Sequence, residues 1–254
     1  MNIEPVGIYH SGLKYRFETP RQSVFSENSG FIQFEKRKNF ETALSDLDGF
    51  GRIWILFQFH LNSGWKPKVR PPVAPGKERI GVFATRSPHR PNPIGLSCVE
   101  LERVDGLRVY VRNCDLLDGT PVFDIKPYIP AADSFPDSET GWLERAEPPH
   151  QYEVRFLPEL REKIGFLRER GLDVENFCRL QLGGDPLDGA RKRLYAGERG
   201  TEIGFRTWRI AFSVEGQTVT VCGIRSNYLP EELADGVPDR YGDKPLHREF
   251  LARF

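Results

Sequence analysis

The chain of 254 residues has little that would support metal or membrane chemistry. Its four cysteines, Cys98, Cys114, Cys178 and Cys222, lie far apart with no C-x-x-C pair, and the five histidines show no ligand spacing near them. A structural zinc is therefore not expected, and no metal is predicted. No stretch approaches 18 uncharged apolar residues, and no charged leader precedes an apolar run, so the expectation is a cytoplasmic protein without membrane contact. Net charge is also missing: 36 basic residues balance 36 acidic ones, which removes any global attraction to nucleic acid or anionic lipid. The dinucleotide fingerprint G-x-G-x-x-G is absent. Its nearest approach, Gly49-Phe50-Gly51, lacks the third glycine and precedes a strand, which disfavours a doubly wound nucleotide fold. There is no P-loop, no G-x-S-x-G elbow and no H-E-x-x-H, so Walker-type, serine-nucleophile and zinc-protease chemistries lose their usual support.

What is present in the first half is a series of short strands separated by turn-rich loops: 6–9, 31–34, 52–59, 80–85, 97–101, 107–112 and 122–125. The run from Arg52 to Phe59 is apolar on both faces and reads as a central strand covered on both sides. Asn39 is expected to cap a short helix running to Leu47 and ended by Gly49. So many short strands with scarcely a helix between them imply antiparallel pairing, in a sandwich or a barrel. The acidic, proline-containing stretch between Ala131 and Pro149 reads as a linker, dividing the chain at 1–147 and 148–254. Beyond it, 158–170 and 173–182 look helical, and 204–214 with 217–225 form a hairpin around Glu215-Gly216, giving a small α+β unit.

The polar groups concentrate at strand ends. The loop GVFATRSPHRPNPIG, from Gly81 to Gly95, holds Arg86 and Arg90 among three prolines that stiffen Ser87, Arg90 and Asn92 before anything binds. Ordering a free arginine costs roughly 2 kcal/mol of rotamer entropy, and a stiff loop lowers the backbone share of such a cost. Recognition of a carboxylate or phosphate is the chemistry suggested; a proline-rich cover for a sheet edge is the plainer alternative. Around this loop Lys66, Lys68, Arg70, Lys77, Arg79, Arg86 and Arg90 face one acid, Glu78, a local basic patch of the kind that contacts phosphates. Pro20-Arg21-Gln22 offers a guanidinium and an amide, His60 closes the central strand, and Asp118, Thr120, Asp124 and Lys126 follow an Asp-Gly turn.

In this order the pieces GIYHS from Gly7, PRQ from Pro20, LDGF from Leu47, IWILFQFH from Ile53, ATRSPHRPNPIG from Ala84 and LDGTPVFDIKPY from Leu117 resemble the TsaA-like, or TrmO, family over residues 3 to 145. The resemblance implies an antiparallel β-barrel outside the Rossmann class that binds S-adenosyl-L-methionine, works as a homodimer, and methylates N6 of threonylcarbamoyladenosine in the tRNA anticodon loop. By motif, the donor-binding positions it implies are Pro20, Arg21, Gln22, His60, Leu61, Arg86, Leu96, Asp118, Gly119, Thr120 and Pro121. S-adenosylmethionine needs a cation for its carboxylate, acceptors for its ammonium and sulfonium, and an apolar slot for adenine. Arg86 suits the first, the Asp118 turn the second, and Leu61 with Leu96 the third. For the reaction, His60 and Asp124 are candidates to take the proton from the acceptor nitrogen, and Arg90 to receive the carboxylate of the modified base. Methylation of another nucleotide or a small molecule, and a non-catalytic donor sensor, are the competing functions. Two departures stand out: His89 replaces the family's usual phenylalanine, and Asp185-Pro186 is followed by Leu187 instead of the Arg-Pro of an Asp-Pro-Arg-Pro element. Downstream, Arg191, Lys192 and Arg193 either replace that charge toward RNA or form a solvated helix end.

Overall fold

In the computed structural model, which describes all residues except 1–2, 20–22, 24–27, 37, 77, 147–150, 190–191 and 199, the chain divides into two units, Met1–Pro148 and Pro149–Phe254. The first is built on strands β1 (Gly7–Ser11), β2 (Gly30–Phe34), β3 (Arg52–Gln58), β4 (Lys68–Val69), β5 (Ile80–Gly81), β6 (Ile94–Asp105), β7 (Arg108–Arg112) and β8 (Thr120–Pro127). Six of them close into a barrel in the order β1, β2, β7, β6, β3, β8, all neighbours antiparallel, with β8 pairing back onto β1. Closure removes both sheet edges. Alternation along each strand fills the interior: Ile53, Ile55 and Phe57 of β3 point in, as do Ser97, Val99 and Leu101 of β6, around a fully buried Tyr9.

Three expectations need correction here. The strand from Arg52 is central, between β6 and β8, but only its inward face is buried; the outward Trp54 and Leu56 are half-buried, because a barrel covers one face of its sheet. The strand expected over 80–85 pairs only at Ile80 and Gly81 and then tightens into a 3₁₀ turn, Val82–Ala84, so β5 pairs with β4 in a separate two-stranded arm. Helix α1 is confined to Phe40–Ala43, and Asn39 does not cap it with its side chain: it adopts a left-handed conformation (φ 57°) and its carboxamide oxygen accepts from the Thr42 hydroxyl at 3.0 Å.

The stretch read as a linker holds helix α2 (Pro130–Asp133) and a 3₁₀ turn (Gly141–Arg145), and is tied to the first unit. Trp54 Nε1 donates to Asp133 Oδ2 at 3.2 Å, Trp142 Nε1 donates to the Ala84 carbonyl at 2.8 Å, and Arg145 pairs with Glu78 at 3.5 Å.

In the second unit a sheet runs β10 (Leu194–Gly197), β11 (Gly200–Phe205), β12 (Trp208–Glu215), β13 (Thr218–Ser226), then β9 (Glu153–Phe156), which pairs parallel to β13. The hairpin turn at Glu215-Gly216 is as expected, with Gly216 at φ 58°, but the strand expected over 204–214 breaks at Arg206 and Thr207 into β11 and β12. Helices are α3 (Arg161–Arg168), α4 (Val174–Leu182) and α5 (Lys244–Arg253). Asp173 caps α4 by accepting from Asn176 N at 3.0 Å. The buried His247 of α5 stacks on Trp208 at 3.9 Å and is bonded through Nδ1 to Ser226 Oγ (2.7 Å) and through Nε2 to Thr207 Oγ1 (2.9 Å). This satisfied network pins the last helix to the sheet.

Candidate active site

Antiparallel closure decides where the polar loops meet. Strands β1, β3 and β7 finish at one end of the barrel, where β2, β6 and β8 begin. Three connections therefore emerge there: 12–29, 59–93 and 113–119. They carry His60, Leu61, Arg86, Arg90, Asp118 and Gly119, while Thr120 and Pro121 open β8 at the same rim. The expected Pro20, Arg21 and Gln22 belong to the first of these connections and lie outside the described residues.

At the rim, buried Thr120 presents Oγ1 to His60 Nδ1 at 3.4 Å. The Asp118 turn is locked from both sides: its amide donates to the Leu13 carbonyl (2.7 Å), the Gly119 amide to the Tyr9 carbonyl (2.9 Å), and its carboxylate accepts from Ser11 N (3.1 Å). Gly119 sits at φ 77°, which a side chain would resist. His10 Nδ1 lies 3.5 Å from the same carboxylate. The His60 pKa is lowered, chiefly because burial disfavours the imidazolium and also through the charge of Arg16, against the opposing pull of the Gln58 carbonyl and Asp118. His60 is thus a neutral imidazole at pH 7.

The arginine loop is braced from within. Arg90 Nη1 donates to the carbonyls of Val82 (3.2 Å) and Thr85 (2.8 Å), with its guanidinium 5.6 Å from the centre of the Phe83 ring. Thr85 and Ser87 hydroxyls accept from the amides two residues on, at 3.2 and 3.3 Å. Arg86 is exposed, and its charge acts on Asp115 in the third connection. Asp115 Oδ1 is buried with no hydrogen-bond partner. Burial raises the pKa of that carboxyl, while a hydrogen bond from Ser97 and the charge of Arg86 pull it back. Asp115 and the inward Ser97 carry almost no sequence signal; there is only an acid placed before the apolar pair Leu116-Leu117. Neighbouring Cys114 is no nucleophile, since burial pushes its thiol up to about 12.

Two expected residues lie elsewhere. Leu96 and Asp124 both flank Leu56 on the outward face of the barrel wall, where Leu96 is 56% exposed and Asp124 pairs with Lys126 at 2.8 Å. Within one chain they do not join Thr120 and His60 on the inward side of the rim. His89, the departure in the arginine loop, accepts through its carbonyl from Lys66 N at 3.2 Å and so joins the loop to the base of the arm. Among the described residues no group of three His, Cys, Asp or Glu could hold a metal ion, and no helix is long and apolar enough to cross a membrane.

Comparison with known proteins agrees with the barrel fold. Residues 8–134 match the family model described as the tRNA-methyltransferase O N-terminal domain. The chain is 40% identical over 197 residues to the tRNA (adenine(37)-N6)-methyltransferase of Escherichia coli, covering 75% of this chain and 83% of that one. It is 41% identical over 213 residues to a putative S-adenosylmethionine-dependent methyltransferase of Pseudomonas aeruginosa, covering 82% and 89%. The crystal structure of TrmO from Pseudomonas aeruginosa superimposes with a TM-score of 0.66 at 28% identity, covering 89% of this chain and 98% of that one.

Proposed function

Because the chain belongs to the tRNA-methyltransferase O family, we propose that it methylates N6 of threonylcarbamoyladenosine at position 37 of tRNA, with S-adenosylmethionine as donor. The observation that carries the reading is the convergence of three loops at one barrel rim around the Thr120–His60 pair. The residues there suit the donor. Arg86 would hold its carboxylate by a charge-assisted bond, the locked Asp118 turn would accept from its ammonium, and exposed Leu61 would cover adenine. When bound, the donor supplies a methyl group made electrophilic by its sulfonium.

The chain's own part is placement and proton handling. Holding donor and acceptor in line is worth roughly 7 to 11 kcal/mol, which suffices for such transfers without a covalent intermediate. Arg90 braces the loop through Nη1, and its remaining donors would receive the carboxylate of the modified base. Between the two expected proton acceptors, His60 fits better: it is neutral, whereas Asp124 faces outward and is paired with Lys126. If Nδ1 carries the proton and donates to Thr120 Oγ1, the Nε2 lone pair would be the one open to the N6 proton.

The protein acts as a cytoplasmic homodimer in this reading. The exposed Leu96 and Ile94, beside half-buried Leu56 and Trp54, form the outward apolar strip that a second copy would cover, bringing Leu96 to the partner's adenine. Incubation with methyl-labelled donor and total RNA tests the function. Label in tRNA supports it; label in a small-molecule fraction alone, or none transferred, rejects it.

A further inference from the structure

We propose that the β4–β5 arm is the RNA-docking surface of this protein, holding phosphates of the anticodon stem-loop with Lys66, Lys68 and Arg70 and offering Phe83 as a stacking platform for an unpaired base. The inference rests on the tRNA methyltransferase reading and assigns a place to its substrate.

Residues 61–93 hold one acid, Glu78, and its carboxylate faces Arg145 at 3.5 Å. The cations of the arm are therefore not neutralised locally. Lys66, Lys68, Arg70 and Arg79 are all exposed, and none forms an ion pair with an acid among the described residues. Arg70 Nη2 donates to the Gly76 carbonyl at 3.1 Å and Arg79 Nη2 to the Lys68 carbonyl at 3.5 Å, bonds that orient the side chains without cancelling their charge. In a chain with no net charge, such a concentration on one two-stranded arm is a directed field.

Packing does not explain the aromatics on the same arm. Val69, Ala74, Ile80 and Val82 are its buried residues, outside the barrel's core cluster, and the pairing of Lys68 with Gly81 and Val69 with Ile80 fixes its strands. Phe83 is nevertheless 74% exposed and Trp65 53% exposed. An acidic protein partner would answer the charge but not the ring, which lies 5.6 Å from the Arg90 guanidinium and is otherwise exposed; cations beside an exposed aromatic ring are what unpaired nucleotides require. The arm belongs to the same connection as Arg86 and Arg90, so RNA held on it is delivered to the rim.

The test uses the full-length protein with tRNA containing threonylcarbamoyladenosine. In Lys66→Gln/Lys68→Gln/Arg70→Gln, tRNA affinity should fall and the slope of log K against log salt should shallow by about two, at roughly 0.7 to 0.9 for each phosphate no longer neutralised. Donor affinity by calorimetry should stay that of the wild type. Phe83→Ala should raise KM for tRNA roughly tenfold, with Phe83→Trp restoring it. Unchanged tRNA affinity and salt slope in the triple variant, together with an unchanged KM in Phe83→Ala, would overturn the arm's role. A wild-type protein that methylates no tRNA would instead overturn the reading of the function, and that outcome is read separately from the variants.

Discussion

Thr120 Oγ1 stands 3.4 Å from His60 Nδ1, joining the first residue of β8 to the residue that follows β3 by two positions. The two are 60 residues apart in sequence and meet because β3 and β8 are antiparallel neighbours in a closed barrel. In the proposed arrangement, with Thr120 Oγ1 accepting from Nδ1–H, the opposite ring nitrogen would be the proton acceptor of the site.

The pH dependence of turnover follows from it. Burial and Arg16 lower the His60 pKa, so the imidazole stays neutral until the pH falls beneath the ordinary histidine value of about 6.5. Activity should be flat through neutrality and decline on an acid limb placed below that value. His60→Gln should lower kcat by about 10²- to 10⁴-fold and abolish the limb, as measured by single-turnover rates across pH.

Arg86→Ala should weaken donor binding strongly, by the loss of a charge-assisted bond worth about 1.5 to 3 kcal/mol, or roughly tenfold to a hundredfold in Kd. Calorimetry with S-adenosylmethionine reads this directly. Unchanged affinity removes Arg86 from the site.

The charge of Asp115 should cost both stability and donor binding. Its carboxyl pKa is raised, so the ionised form is disfavoured in the folded protein; stability is greater below the unfolded-state pKa of about 4 and is lost as pH rises through the folded value. Asp115→Asn removes that cost and should raise the melting temperature at pH 7. The same change takes away a negative charge that competes with the donor carboxylate for Arg86, and donor affinity should rise. A variant that is less stable at pH 7 and binds donor more weakly would contradict both halves.

Gly30 opens β2 where it passes the end of β1. A Cβ there would meet the His10 carbonyl oxygen and the Tyr9 hydroxyl, each at 2.4 Å. Neither has room to yield, since one is backbone in a paired strand and the other is the buried centre of the barrel. Gly30→Ala should therefore destabilise the protein by about 1 to 3 kcal/mol, checked by denaturant midpoints.

The strands are legible in the sequence because alternation survives in a barrel: the inward series Ile53, Ile55, Phe57 and the outward series Trp54, Leu56 occupy one run that reads as uniformly apolar. The same run misleads as to cover, for no local signal distinguishes an outward residue awaiting a partner from one packed beneath a helix. Loop residues such as Arg86 and Asp118 are visible through turn chemistry and proline placement. Asp115 and Ser97 are not, because their relationship depends on which strand lies next to which. Motif assigns Leu96, and reaction chemistry Asp124, to the same site, and only the side of the sheet they occupy separates them from Thr120. In the second unit, β9 pairs in parallel with β13, a long-range partnership that a four-residue strand gives no way to foresee.

tRNA from cells lacking this protein, incubated with the purified chain and S-adenosylmethionine and digested for nucleoside mass analysis, should show threonylcarbamoyladenosine converted to a species heavier by a single methyl group on N6. Threonylcarbamoyladenosine left at its starting level, with no methylated product at any other nucleoside, would contradict the account.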